Sequence, residues 1–388
     1  MEHSANDSWR RSAETDCLGL YVHIPFCSSI CSYCNFNRGL LDHPLKRRYI
    51  SALITEIERA GDGSKVDTIY FGGGTPSLLL PDEIQNVFKA CQKSFDVSSD
   101  AEVTLEMNPE TVSRSYVASI LDIGVTRLSI GVQSFNDREL ERLGREHTAE
   151  TAVNAFLSAR NAGCDNVSLD LMLSLPEQTR EKYARSIEKL VQLSPDHASL
   201  YILELYPNAP LESDISRKGW SLPKEEDAAL MYLEALERTA ACGLEQYEIS
   251  NLARSGKRSR HNLKYWEDGS WLGFGCGAHS TRSGWRWRNL SETERYVDRI
   301  ERSAEVALDR RLLGEKERLG DALFMGLRLA EGLDLVRIRY RYGVDVMDRY
   351  GAELRKFTDS GLLVESENRL RLTRQGMLLA NEVMSTFV

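Results

Sequence analysis

Three cysteines that lie close together in the chain are the residues best suited to chemistry. Cys27, Cys31 and Cys34 have the spacing C-x3-C-x2-C and follow an apolar stretch that begins at residue 18. Three thiolates are one fewer than a closed tetrahedral zinc site or a fully protein-ligated four-iron cluster requires. The number and softness of these ligands favour a [4Fe-4S] cluster that keeps one iron open. The alternative is a zinc knuckle that a more distant side chain, such as His23, completes.

Glycines and polar side chains recur at the ends of predicted strands. The run Gly72–Thr75 allows the backbone to approach a ligand closely and is expected to leave amide groups free to bind it. Glu106 ends the third strand, Gln133 follows the fourth, and Asp170 lies within the fifth. A carboxylate inside an apolar strand is costly unless its charge is satisfied, so we expect Asp170 to bind a ligand or a basic partner. Together these groups indicate one shared ligand site.

Six strands that alternate with helical patterns are predicted to position these residues. They are Leu18–Ile24, Asp67–Phe71, Glu102–Glu106, Arg127–Val132, Asn166–Leu173 and Ala198–Leu205. Several are almost continuously apolar, as strands covered on both faces are. Six β-α units predict an α/β fold with a parallel sheet and right-handed crossovers. Because a closed barrel has eight such units, we expect a curved, partly open barrel with ligands at the carboxyl ends of its strands.

The chain divides into four predicted parts. Residues 1–17 are expected to be a disordered tail, residues 18–250 the partial barrel, residues 251–305 a basic, tryptophan-rich segment, and residues 306–388 a small, mainly helical domain. In the last part a hairpin, Leu362–Glu365 and Arg369–Leu372, precedes a helix over Arg374–Val388, which is typical of a winged-helix module. Residues 305–388 hold fourteen acidic and fourteen basic residues, which favours packing or partner docking over DNA binding.

The composition excludes several classes of protein. The chain has 388 residues, of which 42% are hydrophobic and 28% charged, as in ordinary globular proteins. A net charge of −9 argues against a nucleic-acid binder. No apolar run approaches the roughly 20 residues that an integral membrane helix needs, and no signal-peptide core is present. We therefore expect a cytoplasmic protein, where clustered thiols indicate metal binding rather than disulfides.

These motifs together resemble the HemN/HemW family of radical S-adenosylmethionine (SAM) proteins. The resemblance rests on Tyr21–Asn37, Gly72–Pro76, Glu106, Gly131–Asn136, Arg145, Asp170, Tyr247–Asn251, His261–Trp266, Phe324–Arg328 and Leu372–Gly376. It implies a radical SAM barrel followed by a HemN-type C-terminal domain. It also implies that Cys27, Cys31 and Cys34 ligate the cluster. The residues implied for the SAM site are Tyr21, Tyr33, Gly73, Gly74, Thr75, Glu106, Gln133, Arg145 and Asp170.

Two features bear on the branch of the family. Oxygen-independent coproporphyrinogen III oxidases have a further cysteine two residues after the last cluster cysteine, where this chain has Phe36. The run His261–Trp266 matches the H-N-x-x-Y-W motif of the HemW branch, which delivers haem to client proteins. The chain departs from the family pattern at Ser174 and Glu177, which replace glycines and leave the local backbone shape open.

A haem-binding role agrees with the composition of one segment. Residues 254–288 carry eight basic residues against two acidic ones, together with four of the six tryptophans. Tryptophans can stack on the macrocycle and arginines can pair with its propionates. His261 is a candidate axial ligand, with Cys276, His279 and His23 as competitors. The structural alternative is an ordinary strand with one packed face, since Trp and Arg alternate from residue 285 to residue 288.

The resemblance therefore implies a haem chaperone that binds haem, a [4Fe-4S] cluster and SAM. Its expected partners are client haem proteins, with respiratory proteins as candidates, and an electron donor such as a flavodoxin or a ferredoxin. If SAM is cleaved, the reduced cluster supplies one electron and yields methionine and a 5′-deoxyadenosyl radical. Two alternatives stay open: a coproporphyrinogen III oxidase or another tetrapyrrole-modifying enzyme, and a zinc-stabilised binding module. No residue is assigned a catalytic role.

Overall fold

The computed structural model describes residues 17–207 and 209–387. The tail predicted over residues 1–17 therefore lies, except for Cys17, outside the described residues. The strands are β1 Leu18–Ile24, β2 Phe26–Cys27, β3 Gly39–Leu40, β4 Lys65–Gly73, β5 Asp96–Met107, β6 Arg127–Gln133, β7 Val167–Leu173, β8 His197–Ile202, β9 Glu245–Gln246, β10 Asn251–Ala253, β11 Trp271–Phe274, β12 His279–Arg282, β13 Trp285–Asn289, β14 Ala307–Leu312, β15 Leu333–Asp334, β16 Leu363–Ser366 and β17 Arg369–Leu372.

Helices connect these strands, and several of them supply side chains to the main hydrophobic core of the sheet. They are α1 His43–Ala60, α2 Pro81–Ser94, α3 Arg114–Ile123, α4 Asp137–Arg142, α5 Ala149–Asn161, α6 Arg180–Leu193, α7 Pro210–Lys218, α8 Glu225–Ala240, α9 Arg260–Trp266, α10 Thr293–Glu301, α11 Glu315–Gly326, α12 Leu335–Tyr342, α13 Val346–Asp359, α14 Arg374–Leu378 and α15 Ala380–Met384. Among these described helices, none is long and apolar enough to cross a membrane.

The six predicted strands form the parallel centre of a larger sheet. Within the described part of the chain, twelve strands pair in the order β14-β13-β12-β11-β1-β4-β5-β6-β7-β8-β10-β9. Strands β1 and β4 to β8 are parallel neighbours, as predicted. Strand β11 joins β1 in parallel, and β12 to β14 continue the sheet with antiparallel pairing. The tryptophan-rich segment, predicted as a separate part, thus extends the barrel sheet.

Alternation along the strands separates an apolar outer face from a polar inner face. In β1, Leu20 and Val22 are fully buried in the main hydrophobic core, while Tyr21 between them points to the opposite face. The helices supply the other half of this core. Helix α2, for example, begins at Pro81, and the Glu83 side chain accepts from the Leu80 amide at its start. The barrel interior is therefore free to hold polar groups.

The last part of the chain has its own hydrophobic core around Leu323, Leu354 and Leu370. Its hairpin matches the prediction, and β15 adds a third strand beside β17. The predicted final helix over Arg374–Val388 is instead two short helices that break at Leu379. This part contacts the barrel through backbone hydrogen bonds such as Ile249 N to Arg328 O, at 3.0 Å.

Candidate functional site

A cavity of about 440 Å³ opens at the carboxyl ends of the parallel strands. Eleven of the thirteen site residues predicted from the sequence line it: Cys27, Cys31, Tyr33, Cys34, Gly73, Gly74, Thr75, Glu106, Gln133, Arg145 and Asp170. Tyr21 and His261 lie elsewhere, beside a second, smaller cavity. The convergence follows from the topology, because parallel strands that run side by side end at one edge of the sheet.

The three cysteines lie on a loop whose two ends are held together by strand pairing. Strands β2 and β3 pair at Phe26 with Gly39 and at Cys27 with Leu40, which closes the loop into a compact unit. Asn37 adds a second fastening, because its carbonyl lies 2.7 Å from Nε2 of His23 on β1. Burial raises the pKa of the Cys27 and Cys34 thiols. Since metals bind the thiolate form, these thiols need a positive group such as an iron cluster to release their protons.

His23 does not take part in the thiol site. Its Nδ1 lies 3.1 Å from the Tyr21 hydroxyl and its Nε2 faces the Asn37 carbonyl, so both ring nitrogens are engaged. Burial lowers the pKa of His23 to about 4, which keeps the ring neutral. Over residues 17–207 and 209–387, no three His, Cys, Asp or Glu side chains stand as a ready site for one metal ion. A four-iron cluster makes a different demand, because each thiolate binds a separate iron.

The backbone amides of the glycine-rich turn at the end of β4 donate hydrogen bonds to other parts of the protein. This observation corrects the sequence prediction that these amides are free. The Gly73 amide donates to Glu106 Oε2 at 3.0 Å. The amides of Gly74 and Thr75 donate to the carbonyls of Ile24 and Phe26, both at 2.8 Å. The glycines serve close packing instead, because a Cβ on Gly74 would lie 2.7 Å from the Phe26 carbonyl oxygen.

Glu106 presents a buried carboxyl group to the cavity. Its Oε1 accepts from the Tyr70 hydroxyl at 2.7 Å, and its Oε2 accepts from the Gly73 amide. Burial raises the pKa of Glu106 to about 7, although both hydrogen bonds oppose the shift. A cationic ligand would restore the charged form, because an opposite charge at short range favours ionisation.

Asp170 on β7 is satisfied by serine hydroxyls rather than by a direct ion pair. Ser129 Oγ donates to Oδ2 at 3.1 Å, and Ser168 Oγ donates to Oδ1 at 3.1 Å. Burial raises the pKa of Asp170, and the charge of Arg127 and these hydrogen bonds oppose the rise. Ser168 also lies 2.8 Å from His197 Nδ1, so a hydrogen-bonded network continues below the cavity floor.

Gln133 and Arg145 complete the wall near the cysteines. Gln133 has a φ of 64°, a left-handed conformation that is unfavourable for a non-glycine residue and that recurs at functional sites. A Cβ on Gly131 would lie 2.9 Å from the side-chain Nε2 of Gln133, so a larger residue there would push this side chain aside. The Arg145 guanidinium donates to Asn108 Oδ1 at 2.8 Å and to the Gly131 carbonyl at 2.7 Å.

Comparisons with known proteins agree with this architecture. The Radical SAM superfamily matches residues 21–190, and the HemN C-terminal domain matches residues 313–379. The heme chaperone HemW of Bacillus subtilis is 35% identical over 373 residues, which cover 95% of this chain and 98% of that protein. The chain belongs to the HemW branch of the HemN/HemW radical SAM family. The Escherichia coli HemW, 31% identical over 96% of this chain and 98% of that protein, agrees.

One further relative and one solved structure show how much of the chain the similarity covers. The mitochondrial radical S-adenosyl methionine domain-containing protein 1 of Bos taurus is 35% identical over 94% of this chain and 86% of its own length. The solved coproporphyrinogen III oxidase HemN of Escherichia coli superposes with a TM-score of 0.86 over 98% of this chain and 92% of that one, at 23% identity. That likeness shows the fold, so the predicted radical SAM partial barrel with a HemN-type C-terminal domain is confirmed.

The H-N-x-x-Y-W motif of the HemW branch closes the bottom of the barrel. It forms helix α9, and His261 on this helix is buried, with Nδ1 2.9 Å from the Thr68 hydroxyl and Nε2 2.8 Å from the Tyr265 hydroxyl. Burial lowers the pKa of His261 to about 3. Because both ring nitrogens already have partners, these contacts favour a structural role, and haem ligation by His261 stays a prediction.

Tyr21 shares the smaller cavity of about 290 Å³ with His261. Glu106 and Tyr201 line both cavities, so the smaller one adjoins the larger. Tyr21 stacks on Tyr70 with a ring separation of 6.1 Å and contacts His23. Its place in a SAM site stays a prediction.

The basic, tryptophan-rich segment does not present the single surface that its composition indicated. Five of the six arginines in residues 254–288 are paired with carboxylates: Arg258 with Glu331, Arg260 with Asp67, Arg282 with Asp62, Arg286 with Asp321 and Arg288 with Asp309. The tryptophans fall into two groups. Trp266 and Trp271 pack around Tyr265, whereas Trp285 and Trp287 pack against Arg310. Propionates would have to displace existing ion pairs.

The departures from the family pattern keep the backbone shape that glycine would allow. Ser174 has a φ of 63° and Glu177 a φ of 61°, both in the left-handed region. Glu177 is compensated, because its Oε1 accepts from the Ser221 amide at 2.6 Å and from the Ser221 hydroxyl at 2.8 Å. Ser174 has no comparable hydrogen bond among the described contacts of this loop, so the packing of the surrounding structure must hold its unfavourable backbone conformation.

Several cavity residues carried no signal in the sequence. They are Arg38, Asn108, Ser129, Met172, Tyr201, Ile202, Glu204 and Tyr206. Asn108 lies two residues after Glu106, and Ser129 on β6 pairs with Glu106 in the sheet. The argument from strand ends could therefore have included both residues. Tyr201 and Ile202 end β8, whereas Glu204 and Tyr206 come from the irregular segment that follows it.

Proposed function

We propose that this chain is a haem chaperone that holds a [4Fe-4S] cluster and SAM in the large cavity and passes haem to client apoproteins. The observation that carries the proposal is similarity over nearly the whole chain to relatives named heme chaperone HemW. The cavity supports it, since all the cluster and SAM residues predicted from sequence except Tyr21 line it.

The cavity residues divide into two chemical groups. Cys27, Cys31 and Cys34 would hold the cluster, which supplies one-electron chemistry to SAM when both are bound. SAM carries an ammonium and a carboxylate, and the cavity offers a complement to each. The Glu106 carboxylate accepts hydrogen bonds, whereas Arg145 is a fixed cation. A bound ammonium would hold Glu106 in its charged form, which ligand-free protein disfavours.

We place the haem at the mouth of this cavity. Phe36, Tyr201, Ile202 and Tyr206 line the cavity and are 64%, 42%, 48% and 37% exposed, which makes an unusually apolar rim. A flat macrocycle would cover these side chains. Arg38 lies on the same wall, and its Nε is buried without a hydrogen-bond partner in the described structure. Its Nη1 and Nη2 donate to the carbonyls of Phe36 and Cys34, and its positive charge beside the rim would attract a propionate.

The proposal names partners by the chemistry they bring. Clients are haem apoproteins, with respiratory proteins as candidates, and a cytoplasmic flavodoxin or ferredoxin would supply electrons to the cluster. The boundaries predicted for the domains stay part of this proposal. The C-terminal module is the part we assign to packing or docking, since its hydrophobic core is separate from that of the barrel.

The decisive experiment is anaerobic reconstitution with iron and sulfide, followed by haem titration and coproporphyrinogen III turnover with SAM on one sample. Tight stoichiometric haem binding without turnover supports the chaperone. Decarboxylated product formed over many turnovers would identify a coproporphyrinogen III oxidase instead. The variant with Cys27, Cys31 and Cys34 all changed to alanine should lack cluster absorbance, and a cluster in that variant would refute the ligand assignment.

The place of the haem is tested with matched variants. Phe36→Ser and Tyr206→Ser should weaken haem binding, because each removes apolar surface from the rim. Trp285→Ser, on β13, is the control and should leave the affinity unchanged. His261→Gln can keep hydrogen bonds to both neighbours but cannot ligate iron as an imidazole does. A changed haem spectrum in His261→Gln together with an unaffected rim variant would move the site to the H-N-x-x-Y-W motif.

A further inference from the structure

The guanidinium of Arg145 is held in one orientation inside the cavity. Its Nη2 donates to Asn108 Oδ1 at 2.8 Å and to the Gly131 carbonyl at 2.7 Å, so both hydrogens of this nitrogen are engaged. Its Nη1 lies 3.5 Å from Cys31 Sγ, which is the range of an N–H···S hydrogen bond. The group cannot turn away from Cys31 without losing two good hydrogen bonds.

Cys31 is the cysteine of the cluster loop that Arg145 contacts directly. Burial lowers the Arg145 pKa, while Tyr33, Cys31 and Glu110 raise it, and the rise prevails. Of these groups, Glu110 faces His147, with Oε2 3.5 Å from Nδ1. A partly buried cation needs a compensating negative charge, and a cluster-bound thiolate of Cys31 would supply one.

We propose that Arg145 sets the reduction potential of the cluster through its contact with Cys31. The inference rests on the proposed function, since it requires the cluster. Reduction adds one electron to the cluster from an external donor, and no covalent bond forms or breaks. A cation and a donated hydrogen bond at a ligating sulfur stabilise the added negative charge. Arg145 therefore raises the potential and makes the cluster easier to reduce.

Asn108 acts on this contact from one step away. Its Oδ1 fixes Nη2 and thereby the direction of Nη1, but it does not itself touch the thiol. It is a positioning residue. Asn108→Leu should loosen the guanidinium and lower the potential in the same direction as loss of Arg145, by a smaller amount, because the charge stays in the cavity.

The test is a redox titration of reconstituted protein, monitored by electron paramagnetic resonance and carried out without SAM. Omitting SAM removes any effect of Arg145 on SAM binding. Arg145→Met should have a lower midpoint potential than wild type. Arg145→Lys should lie between them, because an ammonium keeps the charge but lacks the planar fork that reaches three acceptors. Met172→Leu changes an uncharged residue of the same cavity and should leave the potential unchanged.

Resonance Raman spectra provide a second readout. Loss of the N–H···S bond should raise the iron–thiolate stretching frequency in Arg145→Met and, less strongly, in Asn108→Leu. Equal potentials and frequencies in fully loaded wild type and Arg145→Met would overturn the inference. If Arg145→Met does not load, equal values in Arg145→Lys, Asn108→Leu and wild type overturn it. A wild type that takes up no cluster would instead defeat the proposed function, so the two failures are distinguishable.

Discussion

The buried carboxyl group of Glu106 should make the ligand-free protein less stable as the pH rises through neutrality. Burial raises its pKa to about 7 from an ordinary value of 4.5. Below the ordinary value both the folded and the unfolded chain hold the proton, so the group has no effect there. Between the two values only the unfolded chain ionises, and the folded state loses stability. The difference between the two pKa values corresponds to about 3 kcal/mol above about pH 8.

Glu106→Gln removes the titration while keeping the side-chain shape. The amide oxygen can accept from the Gly73 amide, and the amide nitrogen can donate to the Tyr70 hydroxyl oxygen, so both contacts persist. We expect the free energy of unfolding of the variant to exceed that of wild type by about 1 kcal/mol near pH 5 and about 3 kcal/mol near pH 8. Because unfolding entropy grows with chain length, the midpoint of thermal unfolding of this 388-residue chain should then rise by only about 1 °C near pH 5 and about 4 °C near pH 8.

The assay is thermal unfolding of both proteins, free of cluster and SAM, in a series of buffers. Glu177→Gln is a control of opposite sign, because hydrogen bonds from Ser221 lower the pKa of Glu177. That variant should be less stable than wild type at neutral pH, and the gap should close as the pH falls below the folded-state pKa. A difference between Glu106→Gln and wild type that does not change with pH would refute the reasoning about burial.

Three further substitutions test local features. Ser174→Gly should raise the free energy of unfolding by up to about 1 kcal/mol, because it relieves a left-handed backbone conformation, and Glu177→Gly should gain less because it loses hydrogen bonds. Gly74→Ala should lower the iron and sulfide content after reconstitution, since a Cβ there would lie 2.7 Å from a carbonyl oxygen beside the cysteine loop. His261→Ala should lower the free energy of unfolding by about 2–4 kcal/mol, because it removes a buried ring with two hydrogen bonds, as thermal unfolding would measure.

A contrary outcome in any of these three experiments would contradict the structural reason behind it. A Ser174→Gly variant less stable than wild type would mean that the serine side chain has a favourable contact that outweighs the strain. Gly39→Ala is the control for Gly74→Ala, because nothing lies within 4 Å of a Cβ at Gly39. Equal loss of iron in both variants would remove the packing argument. Unchanged stability in His261→Ala would show that α9 does not depend on this side chain to close the barrel.

Local patterns in the sequence carried much of the fold and part of the site. The periodicity of six apolar runs located the parallel strands to within a few residues, except that β5 begins at Asp96 rather than at Glu102. The cysteines are separated by so few residues that one loop must hold them. Polar residues at the ends of successive parallel strands had to converge, because the topology brings those ends to one edge.

Long-range pairing explains what the sequence could not reveal about the basic segment. Its excess of positive charge is real, yet Arg282 pairs with Asp62 and Arg286 with Asp321, both far away in the chain. A local charge count cannot see such partners. A local pattern also could not reveal that the amides of the glycine-rich turn donate hydrogen bonds to neighbouring segments, or that β11 pairs with β1.

By itself, the sequence determined the cysteine loop, the order of β and α elements and the strand-end groups, because each depends on residues that are neighbours or recur at a fixed period. Only the tertiary structure decided that His261 is enclosed between Thr68 and Tyr265, that Arg145 points at Cys31, and that the exposed apolar rim lies at the cavity mouth. Those features depend on which distant segments pack together, and that choice follows from the sum of many weak contacts rather than from any local pattern.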